Sequence, residues 1–222
     1  MNQHDRSKGE YRSAQHEGPL TCTPGEDDPH LRETRIASAQ VYRGGFLDVR
    51  RDLARLPDGT EVFREYVVHP GAVMIVPLQG DGRLVVERQW RYPLGRAFIE
   101  FPAGKLDAGE GGLACAVREL AEETGYRAAE WAQAGLLHNA IGYSTEGIQI
   151  WFARGLVLGE RRLDAGEFLD VLSMTLDELE ALAACGELTD AKTLIGMLWI
   201  THWRAGRWAL DWQPAPRAPD AA

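Results

Sequence analysis

Residues 104–126, GKLDAGEGGLACAVRELAEETGY, constrain the fold of this chain more than any other stretch. A glycine-rich loop precedes a predicted helix in which Glu122 and Glu123 follow Glu119 by three and four residues. At about 100° per residue, these side chains share one face of the helix. Like charges at such spacing destabilise a helix unless a cation joins them, and carboxylate oxygens suit hard divalent ions. The pattern predicts a site for Mg²⁺, with Mn²⁺ next; a solvated acidic face is the alternative interpretation.

The other face of this predicted helix is apolar. Its residues recur at helical spacing: Leu113, Val117, Leu120 and Thr124. Arg118 stands four residues before Glu122 and can form an ion pair with it. Gly125 predicts the end of the helix, because glycine readily takes the left-handed conformation of a C-terminal cap. We therefore expect one face to pack on the core and the other to hold the acidic site.

Composition limits the classes of partner and compartment. The net charge of −9 argues against a nucleic-acid backbone as the main partner. No apolar run approaches the roughly 18 residues of a membrane span, and the N-terminus lacks the apolar core of a signal peptide. Cys22, Cys115 and Cys185 show no metal-binding spacing and indicate a reducing cytoplasm. Cys115 is interpreted as a packing residue.

Four regions follow from the pattern along the chain. Residues 1–36 are polar and predict a disordered leader, and residues 213–222, rich in Pro and Ala, predict a loose tail. Residues 37–70 predict a small antiparallel sheet, with strands at 41–53 and 61–68 around a turn at 56–60. Residues 71–212 form the main predicted domain.

The main domain is predicted to alternate strands with a few helices. A hairpin is expected from strands 72–77 and 83–90, because Gln79-Gly-Asp-Gly lies between them. The other strands are expected at 97–102, 132–137, 147–156 and 168–173. Two helices are expected at 175–185 and 191–204, the first opened by a capping box of Thr175 and Glu178.

The spacing G-x5-E-x7-REL-x-EE-x-GY resembles the Nudix box. Nine defined positions match: Gly104, Glu110, Arg118, Glu119, Leu120, Glu122, Glu123, Gly125 and Tyr126. The resemblance implies an α/β fold, a Nudix-type α/β/α sandwich with a mixed sheet. It also implies a metal-dependent hydrolase that cleaves a nucleoside diphosphate linked to another moiety.

The resemblance also implies roles for the residues of the box. Glu119 and Glu123 would be the main metal ligands, with Glu122 assisting directly or through water. The backbone carbonyl of Ala103 would be a further ligand. Glu110 and Arg118 would orient these groups from outside, which matters because outer contacts set ligand geometry.

Further segments resemble the ADP-ribose pyrophosphatase branch of the family. They read RQWRYP from Arg88, IEFPAG from Ile99, GYSTE from Gly142 and GEF from Gly166. The branch implies hydrolysis of ADP-ribose to AMP and ribose 5-phosphate. It also implies a homodimer in which the N-terminal sheet completes the substrate site.

One departure leaves the substrate open. Relatives of this branch usually carry a proline after the box, before a Gly-Phe or Gly-Tyr pair, where this chain has Ile141. Proline shapes a loop by fixing φ. Another nucleoside diphosphate sugar or a dinucleotide is therefore an alternative substrate. A non-catalytic module that senses ADP-ribose is a third hypothesis.

A general base is expected outside the box. Glu167 lies in a loop where this branch places its catalytic glutamate. Glu146 competes for the same role or for a substrate contact, and Asp164 is a weaker third candidate. The alternative for each is an ordinary loop carboxylate.

Candidate substrate contacts come from the remaining motifs. Arg64, Arg88 and Arg91 could bind phosphate through the planar guanidinium group, although most arginines simply face solvent. Phe46 and Phe63 lie where relatives place rings against adenine, although core packing is the commoner role of a Phe in a strand. These contacts are joined by Glu100, as a ligand of a ribose hydroxyl or of metal.

Overall fold

The computed structural model of the protein describes residues 30–216. Residues 1–29 and 217–222, and with them most of the expected leader and part of the expected tail, lie outside the described residues. The first strand begins at Thr34, ahead of the expected start near residue 37.

Eleven strands and three helices follow in the described part of the chain. The strands are β1 (Thr34–Arg43), β2 (Asp48–Arg55), β3 (Glu61–Val68), β4 (Ala72–Pro77), β5 (Leu84–Arg91), β6 (Arg96–Glu100), β7 (Ala103–Lys105), β8 (Tyr126–Leu137), β9 (Ile148–Leu158), β10 (Leu169–Met174) and β11 (Gln213–Pro214). The helices are α1 (Gly112–Glu119), α2 (Leu176–Ala184) and α3 (Ala191–Arg204). Helix α3 matches its expected range, and α2 begins after the predicted capping box at Thr175.

The N-terminal sheet is antiparallel in the order β1-β2-β3. The single strand expected over residues 41–53 is wrong, because the chain turns between Gly44 and Leu47, where the Gly44 amide donates to the Leu47 carbonyl at 2.8 Å. Two consecutive glycines favour such a turn over a continuous strand. Every residue of β1 is exposed, and its pairing with β2 shifts register around Ile36 and Val41.

The central sheet is mixed and has the order β11-β8-β9-β4-β7. Strand β4 runs parallel to β9 and is buried at all six positions, as expected for a strand covered on both faces. The expected hairpin of β4 and β5 is wrong. Strand β5 belongs to a second sheet, β10-β5-β6, and one bridge between Leu78 and Leu84 links the two strands. Because β4 already pairs with β9 and β7, it has no free edge for β5.

Helices cover both faces of the central sheet. On one face, α1 packs through Cys115 and Ala116 against Val73 and Ile75 of β4. On the other face, Met74 joins a core that α2, α3 and the second sheet enclose. Alternate residues of one strand thus supply two cores. This arrangement confirms the expected α/β/α sandwich with a mixed sheet.

The box folds into a strand, a loop and a short helix. Strand β7, which was not expected as a strand, pairs antiparallel with β4. Helix α1 ends at Glu119 and continues as a π turn over Leu120–Thr124, which Gly125 closes in the left-handed conformation with φ of 78°. The expected C-terminal glycine is confirmed, but the acidic residues straddle the change from α to π geometry.

The start of the expected loose tail is ordered. Strand β11 pairs with β8, and the Ala215 amide donates to the Ala129 carbonyl at 2.9 Å. Just before β11, Trp212 packs against Trp203 and lies under the Arg154 guanidinium. The expectation of a loose segment is therefore wrong for residues 213–215.

Candidate active site

The floor of the site is formed where the backbone of Gly104 approaches the carboxylate of Glu119. Strand β7 brings Gly104 beneath α1, and a Cβ atom at Gly104 would lie 1.8 Å from Cδ of Glu119. That separation is far inside van der Waals contact, so only glycine leaves room for the carboxylate in this position. The glycine of the box is thus explained by the placement of Glu119.

Arg118 connects the acidic residues of the box. Its guanidinium donates to Glu110 at 2.8 and 2.9 Å, to Glu119 at 2.8 Å and to Glu122 at 3.0 Å. Hydrogen bonds from Arg118 lower the pKa of Glu110 to about 2, although burial acts against them. The expected i,i+4 pair is confirmed, and one cation orients three carboxylates.

Glu123 lies deepest among the box glutamates. It is 5% exposed, and its Oε2 accepts a hydrogen bond from the Ala103 amide at 3.1 Å. Burial raises the pKa of Glu123 far above its usual range, and the charges of Glu87, Glu119 and Glu167 raise it further. Three other carboxylates therefore lie near enough to Glu123 to disfavour its charged form.

Glu87 was not identified from the sequence. It lies on β5, is 3% exposed, and its Oε1 has no hydrogen-bond partner among residues 30–216. Burial, followed by the charges of Glu167 and Glu100, raises the pKa of Glu87 to about 8. An isolated Glu in a strand of mixed polarity carries no sequence signal for such a position.

The donor set fits a hard divalent cation. The predicted ligands are carboxylate oxygens and a backbone carbonyl, and a cation would offset the repulsion that adds to the effect of burial on the pKa of Glu123. Within residues 30–216, no three carboxylate, imidazole or thiol side chains converge on one point at ligand distance. Arg118 accounts for this, because it holds Glu119 and Glu122 by hydrogen bonds.

The box forms one side of a cleft of about 420 Å³. Of the residues predicted for the site, the cleft brings together Phe46, Arg91, Ala103, Glu119, Glu122, Glu123, Glu146, Asp164 and Glu167. Its volume falls in the range of small-molecule sites. The metal-binding candidates and the candidate bases thus line one cavity.

Both leading candidates for the base reach this cleft. Glu167 Oε1 accepts a hydrogen bond from Gln89 at 3.3 Å. The preceding loop is tied to the end of the box, because the Arg162 amide donates to the Glu122 carbonyl at 3.1 Å. Glu146 Oε1 lies 3.5 Å from Nε2 of His69, a residue that was not predicted for the site.

Phe46 occupies a turn rather than the expected strand. The turn after β1 places the Phe46 ring at the cleft. Its centroid lies 6.0 Å from that of the His69 ring, and the two rings are in an edge-to-face arrangement. Lys105 Nζ lies 4.7 Å from the centre of the Phe46 ring. Phe46 is 60% exposed, so part of its aromatic surface is accessible to a ligand at the cleft.

Three predicted contacts lie away from the cleft of the single chain. Arg64 is paired with Glu33 at 2.7 Å, and Arg88 with Asp170 at 2.6 Å. The third, Phe63, lies on the N-terminal sheet with the Arg51 guanidinium 4.0 Å from its ring centroid. For Arg88, strand alternation explains the result, because its neighbour Gln89 lines the cleft and successive residues of a strand face opposite sides of a sheet.

Glu100, predicted to contact a ribose hydroxyl or a metal, instead binds two cationic side chains of the protein. It is 3% exposed and accepts two hydrogen bonds from Arg91, at 2.7 and 2.8 Å. Its Oε2 also accepts from Lys192, which the sequence did not identify. Lys192 sits in the first turn of α3, where a cation opposes the helix dipole, and that conflict is a usable sequence signal.

No helix of residues 30–216 has the length and apolar character needed to cross a membrane. Cys115 and Cys185 are both free thiols. Cys115 is fully buried, its Sγ donates to the Lys105 carbonyl at 3.3 Å, and burial raises its pKa to about 12. These features agree with a packing role for Cys115.

Comparisons with known proteins agree with this geometry. Residues 68–195 match the NUDIX domain, and residues 33–67 match the nucleoside diphosphate sugar hydrolase N-terminal domain. The chain is 37% identical to the ADP-ribose pyrophosphatase of Bacillus subtilis over 172 residues, 77% of this chain and 93% of that protein. It is 34% identical over the same shares to the methanol dehydrogenase activator of Bacillus methanolicus.

A solved structure described as an ADP compounds hydrolase shares the fold. It superposes with a TM-score of 0.72 at 24% identity, over 80% of this chain and 97% of that one. The NUDIX match covers more than half of the 222 residues, and a relative above 30% identity is matched over nearly its whole length. The chain therefore belongs to the Nudix family and is a Nudix hydrolase.

Proposed function

We propose that this protein hydrolyses the diphosphate of ADP-ribose to AMP and ribose 5-phosphate. The observation that carries the proposal is the buried carboxylate cluster around Glu123 at the floor of the cleft. The similarity to an ADP-ribose pyrophosphatase over most of the chain supports the choice of substrate.

The metal would be held by the floor of the cleft. Nudix hydrolases generally need a divalent metal, and we propose Mg²⁺ here, with Mn²⁺ as a substitute. Glu119 and Glu123 would be the main ligands, with Glu122 assisting and the Ala103 carbonyl completing the set. A divalent ion bound there supplies charge neutralisation for phosphoryl oxygens and an acidified water.

The side chains around the floor position the reacting groups. Glu167, held by Gln89, is the proposed general base, and Glu146 beside His69 is its competitor. A base in such a position contributes roughly 10²–10⁴-fold to the rate. Arg118 keeps the ligand carboxylates oriented, and Arg91 faces the phosphates as a fixed cation.

We also propose that the working form is a homodimer. Strand β1 exposes every residue and, within residues 30–216, lies at an unpaired edge of its sheet, which is unfavourable for a chain that remains alone. Arg64, Arg88 and Phe63, which lie outside the cleft of one chain, would then act near the cleft of the other or at the interface. The free thiols and the acidic charge support a cytoplasmic protein without a nucleic-acid partner.

A second candidate is the hydrolysis of another nucleoside diphosphate sugar or a dinucleotide. Ile141, which replaces the usual proline, is 84% exposed in the turn before Glu146. A turn without proline is less restricted in φ. Because this turn lies between the cleft residues Asn139 and Glu146, its shape bears on which terminal group the cleft accepts.

The third hypothesis is a module that senses ADP-ribose without cleaving it. The presence of Arg118, Glu119, Glu122 and Glu123 argues against it, because a protein that only binds has no need of these residues together.

A substrate panel tests these readings. The full chain is incubated with MgCl₂ and ADP-ribose, other nucleoside diphosphate sugars or dinucleotides, and phosphate is measured after alkaline phosphatase is added. We expect the highest kcat/KM for ADP-ribose, with AMP and ribose 5-phosphate as products. Faster turnover of another diphosphate would replace the proposed substrate. Tight binding of ADP-ribose without turnover of any compound would favour the sensing module.

A further inference from the structure

Two cations, Arg91 at the end of β5 and Lys192 at the start of α3, lie together on one wall of the cleft, next to Glu100 of β6. Arg91 and Lys192 both hydrogen-bond to Glu100, and Lys192 also donates to Asp190 at 3.0 Å. Asp190 in turn caps α3 by accepting from the Thr193 amide at 3.0 Å. The capped helix therefore fixes the position of the lysine.

The burial of this group makes its arrangement rigid. The side chain of Lys192 is 12% exposed and that of Glu100 is 5% exposed. Burial raises the pKa of Glu100, but hydrogen bonds from Arg91 and the charge of Lys192 outweigh it, so the net pKa is lowered. Glu100 is thus an ionised anchor between two cations.

Both cations keep donors for a ligand. An ammonium has three N–H donors, and Lys192 uses two of them on Glu100 and Asp190. Arg91 has five and uses Nε and one Nη2 donor on Glu100. Its side chain is 43% exposed, so the unused donors are accessible.

The same residues separate the cleft from a second cavity of about 480 Å³. Arg91, Asp190 and Lys192 line both cavities, and Arg96 lines the second one. The glutamates of the box line the cleft as well, so that cavity carries both carboxylates and fixed cations. An anionic diphosphate beside a metal-binding floor needs such cations to balance its remaining charge.

We propose that Lys192 is a second phosphate-binding cation of the cleft, which Glu100 and Asp190 hold in place beside Arg91. The ligand class is the diphosphate of a nucleoside diphosphate, and the inference rests on the proposed function for the identity of that substrate. Glu100 is then a positioning residue that serves both cations.

Direct binding tests this role without requiring turnover. Lys192→Met removes the charge at similar length, and Lys192→Arg keeps it. Arg207→Met, at an exposed position outside the cleft, is the matched control for loss of one cation. Calorimetry in MgCl₂ measures the affinity for two nonhydrolysable probes, α,β-methylene-ADP and α,β-methylene ADP-ribose, and Tm is recorded for each variant.

We expect Lys192→Met to weaken both probes about tenfold or more, because a charge-assisted hydrogen bond is lost. Lys192→Arg should retain most of the affinity, and Arg207→Met all of it. With ADP-ribose as substrate, KM should rise more than kcat falls.

Three results would overturn the assignment. One is unchanged affinity in Lys192→Met. Another is a loss confined to the probe with the terminal ribose, which would place the contact on the sugar. The third is an equal loss in Lys192→Arg with a lowered Tm, which would indicate a structural role. A Lys192-dependent loss of binding in a protein without turnover would leave this inference standing while removing the proposed hydrolysis.

Discussion

The Nudix box and the N-terminal sheet are stabilised in different ways. In the box, Cys115, Ala116 and Leu120 are fully buried against the central sheet. In the N-terminal sheet, every residue of β1 is exposed, and backbone pairing with β2 is its main attachment. The box can therefore hold unfavourable charges on a firm support, whereas the sheet has little apolar packing of its own.

This difference predicts different consequences of substitution. Core packing contributes roughly 1.5–3 kcal/mol for each large apolar side chain that is fully buried. Against such a background, a single altered carboxylate in the box changes chemistry more than folding. In β1, where every residue is exposed in one chain, we expect a substitution to change mainly what the sheet can assemble with.

The largest effect is expected for Glu123→Gln. Glutamine preserves shape but loses the charge that a metal ligand needs, so kcat/KM for ADP-ribose with MgCl₂ should fall at least about 100-fold. The Tm without metal should not decrease, because burial already disfavours the charged form of Glu123. Glu180→Gln, on the exposed side of α2, is the control. A variant of Glu123 with unchanged turnover would refute its role as a ligand.

A smaller loss is expected when the floor of the site is filled. Gly104→Ala places a methyl group where Glu119 now lies, so the carboxylate must move and the metal affinity should weaken by about tenfold or more. Gly111→Ala is a matched control, because its Cβ would meet no atom within 4 Å and its φ is −81°. Titration of the Mg²⁺ dependence of turnover compares the two. Equal Mg²⁺ dependence in both variants would show that the close approach does not matter.

Local sequence patterns predicted the box because its acidic residues lie within one or two turns of each other. The spacing of Glu119 and Glu123 and the pair of Arg118 with Glu122 depend only on residues within one or two turns. The π turn that follows Glu119 has no comparable signal, because it depends on how the helix meets Gly125 and the loop beyond it.

The wall of the cleft that contains Arg91 and Lys192 could not be predicted from local patterns. Glu100 meets Lys192 across 92 positions of sequence, and the contact exists only because β6 and the start of α3 are adjacent in the fold. The turn at Gly44 could have been predicted from the local sequence, since two consecutive glycines interrupt the strand pattern. The position of Glu87 could not, because its burial depends on which sheet β5 joins.

The N-terminal sheet supplies the next prediction. Ile36 and Val41 lie at the two register shifts of β1, and they are 42% and 53% exposed. In the proposed homodimer such apolar side chains would be covered, so Ile36→Asp with Val41→Asp should shift the mass in light scattering from twice 24.6 kDa to 24.6 kDa. Activity should fall with the dimer.

The control for this variant is another exposed apolar pair on a strand. Val157 and Leu158, at the end of β9, are 68% and 67% exposed. Their replacement by Asp should leave the mass unchanged. A wild-type protein that is monomeric at all concentrations would contradict the dimer itself.

The smallest effect is expected from Glu87→Gln and concerns the pH dependence of stability without metal. Burial raises the pKa of Glu87 from 4.5 to about 8, so the folded state binds this proton more tightly than the unfolded state does. The resulting stability is complete below pH 4.5 and is lost as the pH rises toward 8. In EDTA, the wild-type Tm should therefore fall between these pH values.

Glu87→Gln removes this contribution, so its Tm should fall less over the same range. Glu180→Gln, which is exposed, should follow the wild type. Parallel curves for wild type and Glu87→Gln would mean that the buried carboxyl does not carry the charge cost inferred for it. A flatter curve for Glu87→Gln would show that β5, packed into the core, holds a buried carboxyl at a cost in stability that grows as the pH rises.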